Sequence, residues 1–357
     1  MGLITKTFGS GSADYTDIGA AIVACSGLGA LSSNYLFKCI ADHTQNTAIG
    51  PGVELQPNSF MISFDLQGHT ITVAKTILMN ISAYVDVSYS GTVEVKNGVL
   101  AHAGSLSGDF WRTALLHMKS GMALVNTQLM MVHDILAVDA GLTGDALICL
   151  EADPPTTVYH AWNIRGYNYG MTAGLWMVNG GALGAGCNQT VVENCAFYHD
   201  KDKTGIATPS YGNYTTFENV ALVHSGSGSS FDWADDTVTT HYPTIVNCAV
   251  SDSSCPSYAT GTVSGTGISD FVSVDPASPN YLKITGSSRL YGVGSKSISL
   301  STKDFVGQPR PNANTKLVSI GAYEPVQYPV VNIGISPSTG KAPLRVGFST
   351  DVTYAYR

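Results

Sequence analysis

Val192-Glu193-Asn194-Cys195-Ala196-Phe197 is followed by Phe217-Glu218-Asn219-Val220-Ala221-Leu222 and then by Ile245-Val246-Asn247-Cys248-Ala249-Val250. Each stretch has two or three β-formers, an asparagine, and a second short apolar run. The same element stands upstream as Ala161-Trp162-Asn163-Ile164-Arg165-Gly166, Leu124-Val125-Asn126-Thr127-Gln128-Leu129 and Val95-Lys96-Asn97-Gly98-Val99-Leu100. From Asn97 onward the asparagines are separated by 29, 37, 31, 25 and 28 residues, and 30 residues before Asn97 lies Gln67, in Phe64-Asp65-Leu66-Gln67-Gly68. A recurrent unit of this length is one coil of a solenoid.

The physical reading is direct. A coil of this size holds two or three short strands, and stacked coils ~4.8 Å apart pair in parallel. Asparagine at a bend tolerates the left-handed backbone and can bond to its copies in the coils above and below. Apolar residues on either side of the bend then fill a column-shaped core. An antiparallel sandwich is the competing fold, but its turns come every ~8–12 residues and need no asparagine register. The sequence therefore predicts an all-β, parallel β-helix of about seven to ten coils.

Working outward, residues 14–25 carry Ile18, Ala21, Ile22 and Cys25 at helical spacing, with Thr16 placed to cap the N-terminus. Residues 1–25 are thus expected to be an N-terminal segment with a capping helix, and 26–324 the β-helix. Open solenoid ends need such covers.

Composition sets limits on the rest. Charged residues are 12 % of the 357, against a usual ~25 %, while hydrophobic residues reach 44 % and the net charge is −8. Disorder and coiled coil are excluded, and the acidic balance argues against a nucleic-acid partner. Seven scattered cysteines with no Cys-x-x-Cys pair give no support for a disulfide framework or a zinc knuckle, so buried, reduced thiols are expected and no metal site is assigned. No apolar h-region opens the chain and no run is long enough to span a membrane, so synthesis in the cytoplasm without membrane insertion is expected.

The segment Asp270-Phe271-Val272-Ser273-Val274-Asp275, Tyr281-Leu282-Lys283-Ile284, Gly286-Ser287-Ser288-Arg289-Leu290-Tyr291, Asp304-Phe305-Val306-Gly307-Gln308-Pro309-Arg310-Pro311 and Ile320-Gly321-Ala322-Tyr323-Glu324 resembles the C-terminal end of right-handed parallel β-helix proteins of the pectate-lyase-like superfamily. Ser288-Arg289-Leu290-Tyr291 departs from the Ser-Pro-Ala-Ile-Asp usual there. The opening from Gly9 to Ile22 resembles the family's usual start. After a linker at 325–328, residues 329–357 resemble the first strands of a PKD-type immunoglobulin-like domain. These resemblances imply fold and say little about chemistry.

Five residues after the repeat asparagine stand His199, His224 and Asp252, and Asp200, His133 and Asp134 lie nearby. The loop Phe231-Asp232-Trp233-Ala234-Asp235-Asp236 sets an aromatic among carboxylates. Paired carboxylates suit glycosidic cleavage, so Asp232, Asp235 and Asp236 are the catalytic candidates, and Trp233, His199, His224 and Asp252 the glycan-binding ones. Against this stand a plain solvent-facing repeat position and an ordinary acidic turn. A metal site on His199 and His224 is only weakly indicated by stacked histidines.

Three function classes follow. The first is a structural or adhesive surface component of a virus particle: a bacteriophage decoration, fibre or spike protein, without enzymatic activity or cofactor. Its partners would be other virion proteins or itself as a homotrimer, with a cell-surface polysaccharide as ligand. The second is a polysaccharide lyase or hydrolase, a depolymerase, with calcium as cofactor if it is a lyase. The third is a secreted adhesin.

Overall fold

Gln67, Asn97, Asp134, Asn163, Asn194, Asn219 and Asn247 all have φ between 48° and 60°, the left-handed region. They form one column of bends in a right-handed parallel β-solenoid. The coordinates are a computed structural model that describes residues 2–50, 52–81, 91–107, 113–120, 128–139, 141, 143–152, 157–179, 190–200, 202–208, 215–233, 243–295, 300–311, 318–325, 327–336 and 347–356. One bend corrects the sequence reading. The residue in register between Asn97 and Asn163 is Asp134, since His133 pairs with both Lys96 and Trp162. Asn126 lies outside the described residues. Aspartate serves because it shares asparagine's tolerance for this backbone and accepts a hydrogen bond from Asn163 Nδ2 at 3.0 Å.

Each coil has three faces. The first precedes the bend, as in Thr190–Glu193; the second follows it, as in Ala196–His199; the third closes the coil, as in Thr204–Thr208. The first two faces share a 16-stranded sheet, because Thr92–Ser107 and Gln128–Val138 run through their bends, and the third is a separate sheet of seven parallel strands. On the first face Phe37, Phe64, Val95, Val132, Ala161, Val192, Phe217 and Ile245 stack in register as one buried column. Burying each larger member contributes ~1.5–3 kcal/mol. Phe37 and Phe64 stack with centroids 4.9 Å apart. The residue after each bend also points inward, which places Cys195 and Cys248 in the core and pushes both thiols up by burial, Cys195 to about 12. Six described cysteines are free thiols and five of them are buried; Cys187 lies outside the described residues.

The helix spans Ile18–Ser26, and its N-cap is Asp17, not Thr16. Asp17 has two oxygens to use. One accepts from Ala20 N (2.8 Å), and the other holds Thr47 N and Oγ1 (3.1 and 2.9 Å), which a threonine could not do together. Ile18, Ala21, Ile22 and Cys25 are buried against the first coil. The sheet itself starts earlier than expected, because Leu3–Phe8 pairs in parallel with Asn34–Cys39.

The described residues between Ile268 and Glu324 lie over the outer side of the second face. Phe271, Tyr281, Leu282, Ile284, Leu290, Ile320 and Tyr323 pack on Ala196, Tyr198, Ala221, Val223 and Ala249. The bend column holds this tail: Asn219 Oδ1 accepts from Ser295 N (2.7 Å), Asn194 Oδ1 from Arg310 Nη1 (2.9 Å), and Asn163 Nδ2 donates to Lys303 O (2.9 Å). Beyond it, Gln327–Ser336 and Gly347–Tyr356 pair as two antiparallel strands.

Candidate functional site

The outer side of the first face carries a stripe at the positions one and three residues before each bend from Asn97 onward, and two and four residues before Gln67. In register they read Asp65, Lys96, His133, Trp162, Glu193 and Glu218, flanked by Ser63, Glu94, Met131 and His160. At the centre, His133 bridges two carboxylates, with Nε2 3.0 Å from Glu94 Oε1 and Nδ1 2.7 Å from Asp134 Oδ2. Glu94 Oε2 also accepts from Ser63 Oγ and pairs with Lys96 Nζ, both at 2.5 Å. The half-buried Trp162 indole stacks on His133, with centroids 4.0 Å apart and planes 7° off parallel.

Burial alone would raise the Glu94 carboxyl, but the hydrogen bonds from His133, Lys96 and Ser63 outweigh it and hold it at about 2. Burial would lower His133, yet its bonds to Asp134 and Glu94 leave it raised. The cluster thus holds an imidazole whose protonated form is favoured by its two carboxyl partners. Beside it, at the bend, opens a cleft of about 270 Å³ lined by Gly68, Asn97, Gly98, Val99, Asp134, Arg165 and Phe305. The Arg165 guanidinium lies 3.6 Å over the Phe305 ring. Chemically, the stripe sets charged groups around an indole; Asp65, Glu94, His133 and Glu193 are buried, and Lys96 and Trp162 are among its half-buried members. Glu94, however, already serves three partners, which weakens it as a base or nucleophile.

The expected stripe is arranged otherwise. His199, His224 and Asp252 do come together: His199 and His224 are cross-strand partners with ring centroids 5.1 Å apart, and His224 Nε2 lies 3.4 Å from Asp252 Oδ2. His199 does not face outward, while His224 and Asp252 are half-buried. His199 has no solvent exposure, and a Cβ on Gly205 of the third face would meet its ring at 3.2 Å. The column continues inside the corner through Asn168 to Asp139 and His102, the last two 3.8 Å apart. Burial pushes the His199 ring down to about 3, helped by the charge of His224. Asp232 is exposed on the strand Phe231–Trp233, so that stretch is not a loop throughout; Asp235 and Asp236 lie outside the described residues.

Glu94, Lys96 and Trp162 were not singled out in the sequence. Their signal was available as the positions one and three before each bend.

The fold defines a class, the right-handed parallel β-solenoids with three strands per coil. No family model matches the chain, and no curated protein matches it. Among solved structures, the crystal structure of pectate lyase Pel9A is similar with a TM-score of 0.38 at 12 % identity, covering 90 % of this chain and 97 % of that one. No helix among the described residues is long and apolar enough to cross a membrane.

Proposed function

We propose that this chain is a structural or adhesive surface component of a virus particle, a rigid rod that can hold a glycan along its first face. The observation that supports this reading best is the cladding of the second face over its later coils: described residues between Ile268 and Glu324 pack an apolar cluster on Ala196, Tyr198, Ala221, Val223 and Ala249. A solenoid so clad is stiff. The partners would be other virion proteins or further copies of itself, as in a homotrimer, and a cell-surface polysaccharide would meet the Trp162 stripe. A secreted adhesin would share this surface chemistry.

Peptide mass spectrometry of purified virus particles tests the setting. Stoichiometric peptides of this chain are expected; absence from particles with presence in the medium would move the protein to the secreted class. Binding to immobilised polysaccharides tests the surface, with Trp162→Ala expected to weaken it by about tenfold, or ~1.4 kcal/mol.

Polysaccharide lyase or hydrolase is the second reading, favoured by the His133 imidazole set between Glu94 and Asp134, whose bonds favour its protonated form and suit it to proton transfer. Release of unsaturated ends or new reducing ends by the wild type, lost in His133→Ala, would establish it, with a calcium requirement if the enzyme is a lyase.

A further inference from the structure

The third sheet carries a second titratable cluster, away from the stripe. His117 and Cys149 are cross-strand partners in adjacent rungs, and Glu151 lies two residues along from Cys149 on the same strand. Leu116, Met118, Ile148 and Leu150 alternate with them and fill the core, so all three project from the outer side of the sheet. One ligand atom from each, an imidazole nitrogen, the thiol sulfur and a carboxylate oxygen, lies within 4.8 Å of the other two. His117 and Cys149 have no solvent exposure.

We propose that His117, Cys149 and Glu151 form a zinc site that pins two rungs of the third sheet. The donor set is the mixed nitrogen, sulfur and oxygen one that tetrahedral zinc takes, with three protein ligands and water in the fourth position. Glu151 is already divided for the task. Its Oε1 pairs with Lys119 Nζ at 2.5 Å, and its Oε2 lies 3.0 Å from His117 Nε2. Lys119 therefore orients the carboxylate and leaves Oε2 for the metal. On loading, the Cys149 proton leaves with a water shed from the metal on the Glu151 side, where the carboxylate is 12 % exposed, and the sulfur bonds the metal. The His117 proton moves to Nδ1, freeing Nε2. The thiolate and carboxylate together balance the metal's double charge. The sheet also supplies the rigidity that a site of this kind needs, since parallel register fixes the spacing of His117 and Cys149.

Cobalt titration of the chelator-treated full chain tests this. A thiolate-to-cobalt charge-transfer band saturating at one ion per chain is expected, together with displacement by zinc and a zinc-dependent rise in melting temperature. Cys149→Ser should lose the band and the thermal shift. His117→Gln and Glu151→Gln should weaken cobalt binding at least tenfold. Circular dichroism shows whether each variant is folded, and Glu151→Gln, which keeps the side-chain shape, carries the test if Cys149→Ser does not fold. Absence of the band in wild type, its persistence in Cys149→Ser, or equal zinc uptake by wild type and Glu151→Gln would overturn the site.

Discussion

Arg310 and Glu324 form an ion pair with no solvent exposure on either side chain, Nη1 to Oε1 at 3.2 Å. Arg310 also donates to Asn194 Oδ1 (2.9 Å) and Gly321 O (2.8 Å), while Glu324 accepts from Ser319 N and Oγ at 2.9 and 2.8 Å. One guanidinium thus ties the tail to itself and to the bend column. Removing one partner of a buried pair leaves an uncompensated charge at a cost of ~3–5 kcal/mol. Arg310→Leu should lose about that much in urea unfolding, and limited proteolysis should open the segment 268–324 first. Replacing Arg310 and Glu324 together by leucine should cost less than Arg310→Leu alone. A double loss equal to the sum of the Arg310→Leu and Glu324→Leu losses would mean the pair is not coupled.

Asn219 has φ 55°, accepts from Ser295 N (2.7 Å) and donates to Asn194 Oδ1 (3.2 Å). Two effects can be separated there. Asn219→Gly loses only the side-chain bonds, whereas Asn219→Ala also forces alanine into the left-handed region, for a further ~1–2 kcal/mol. Denaturant midpoints should rank wild type above glycine and glycine above alanine. Alanine equal to glycine would show that the bend can relax.

The bends were legible in the sequence because a left-handed residue must be chosen locally: asparagine stands at five of them, and Gln67 and Asp134 complete the column. Asp134 was missed because its coil is long, and an asparagine at 126 offered a plausible step. His133, though among the polar residues noted near the stripe, lacked its place one residue before a bend, since that position has meaning only in the right register. Inward or outward direction at His199 was equally hidden. Five residues past the bend the chain turns a corner, and only Gly205 across the core shows which way the ring points. His117 and Cys149 meet by a register that no bend marks, on a face reached through segments of variable length. The resembling tail motif, by contrast, was legible in part: its Arg310 and Glu324 are the two ends of one ion pair, though the surface they cover could not be read.

Acid should unfold the solenoid from inside. His199 sits at about 3 when folded and near 6.5 otherwise, so below 6.5 the unfolded chain takes up a proton that the fold refuses. Stability contributed by the neutral ring is present above 6.5 and falls as pH drops toward 3, by at most ~1.4 kcal/mol per pH unit. Glu94 and Glu151, both held at about 2 against an ordinary 4.5, lose their share only below that ordinary value. His133 has the opposite sign: its raised affinity adds stability that is lost as pH rises through its folded value. His199→Leu should therefore flatten the decline between pH 6.5 and 4.5 while leaving the steeper fall below it. Urea unfolding at several pH values measures both slopes. Parallel declines in wild type and variant would place the acid sensitivity elsewhere, with His102 the next residue to change, since burial lowers it too.

His133 should also report its own charge through Trp162. With the rings stacked at 4.0 Å, an imidazolium against the indole quenches its fluorescence and a neutral imidazole quenches less. Because hydrogen bonds to Asp134 and Glu94 raise His133, the quenching should persist above pH 6.5 and lift only at higher pH. Subtracting the titration of His133→Gln isolates this pair from the other tryptophans. The same transition should govern ligand binding. Loss of the proton removes the positive charge from the middle of the stripe and frees one carboxylate from its partner, so polysaccharide affinity should change across the pH range in which the fluorescence changes. Binding that is flat across that range, beside a clear fluorescence transition, would separate the His133 cluster from the glycan surface and leave it as a structural ion-pair network.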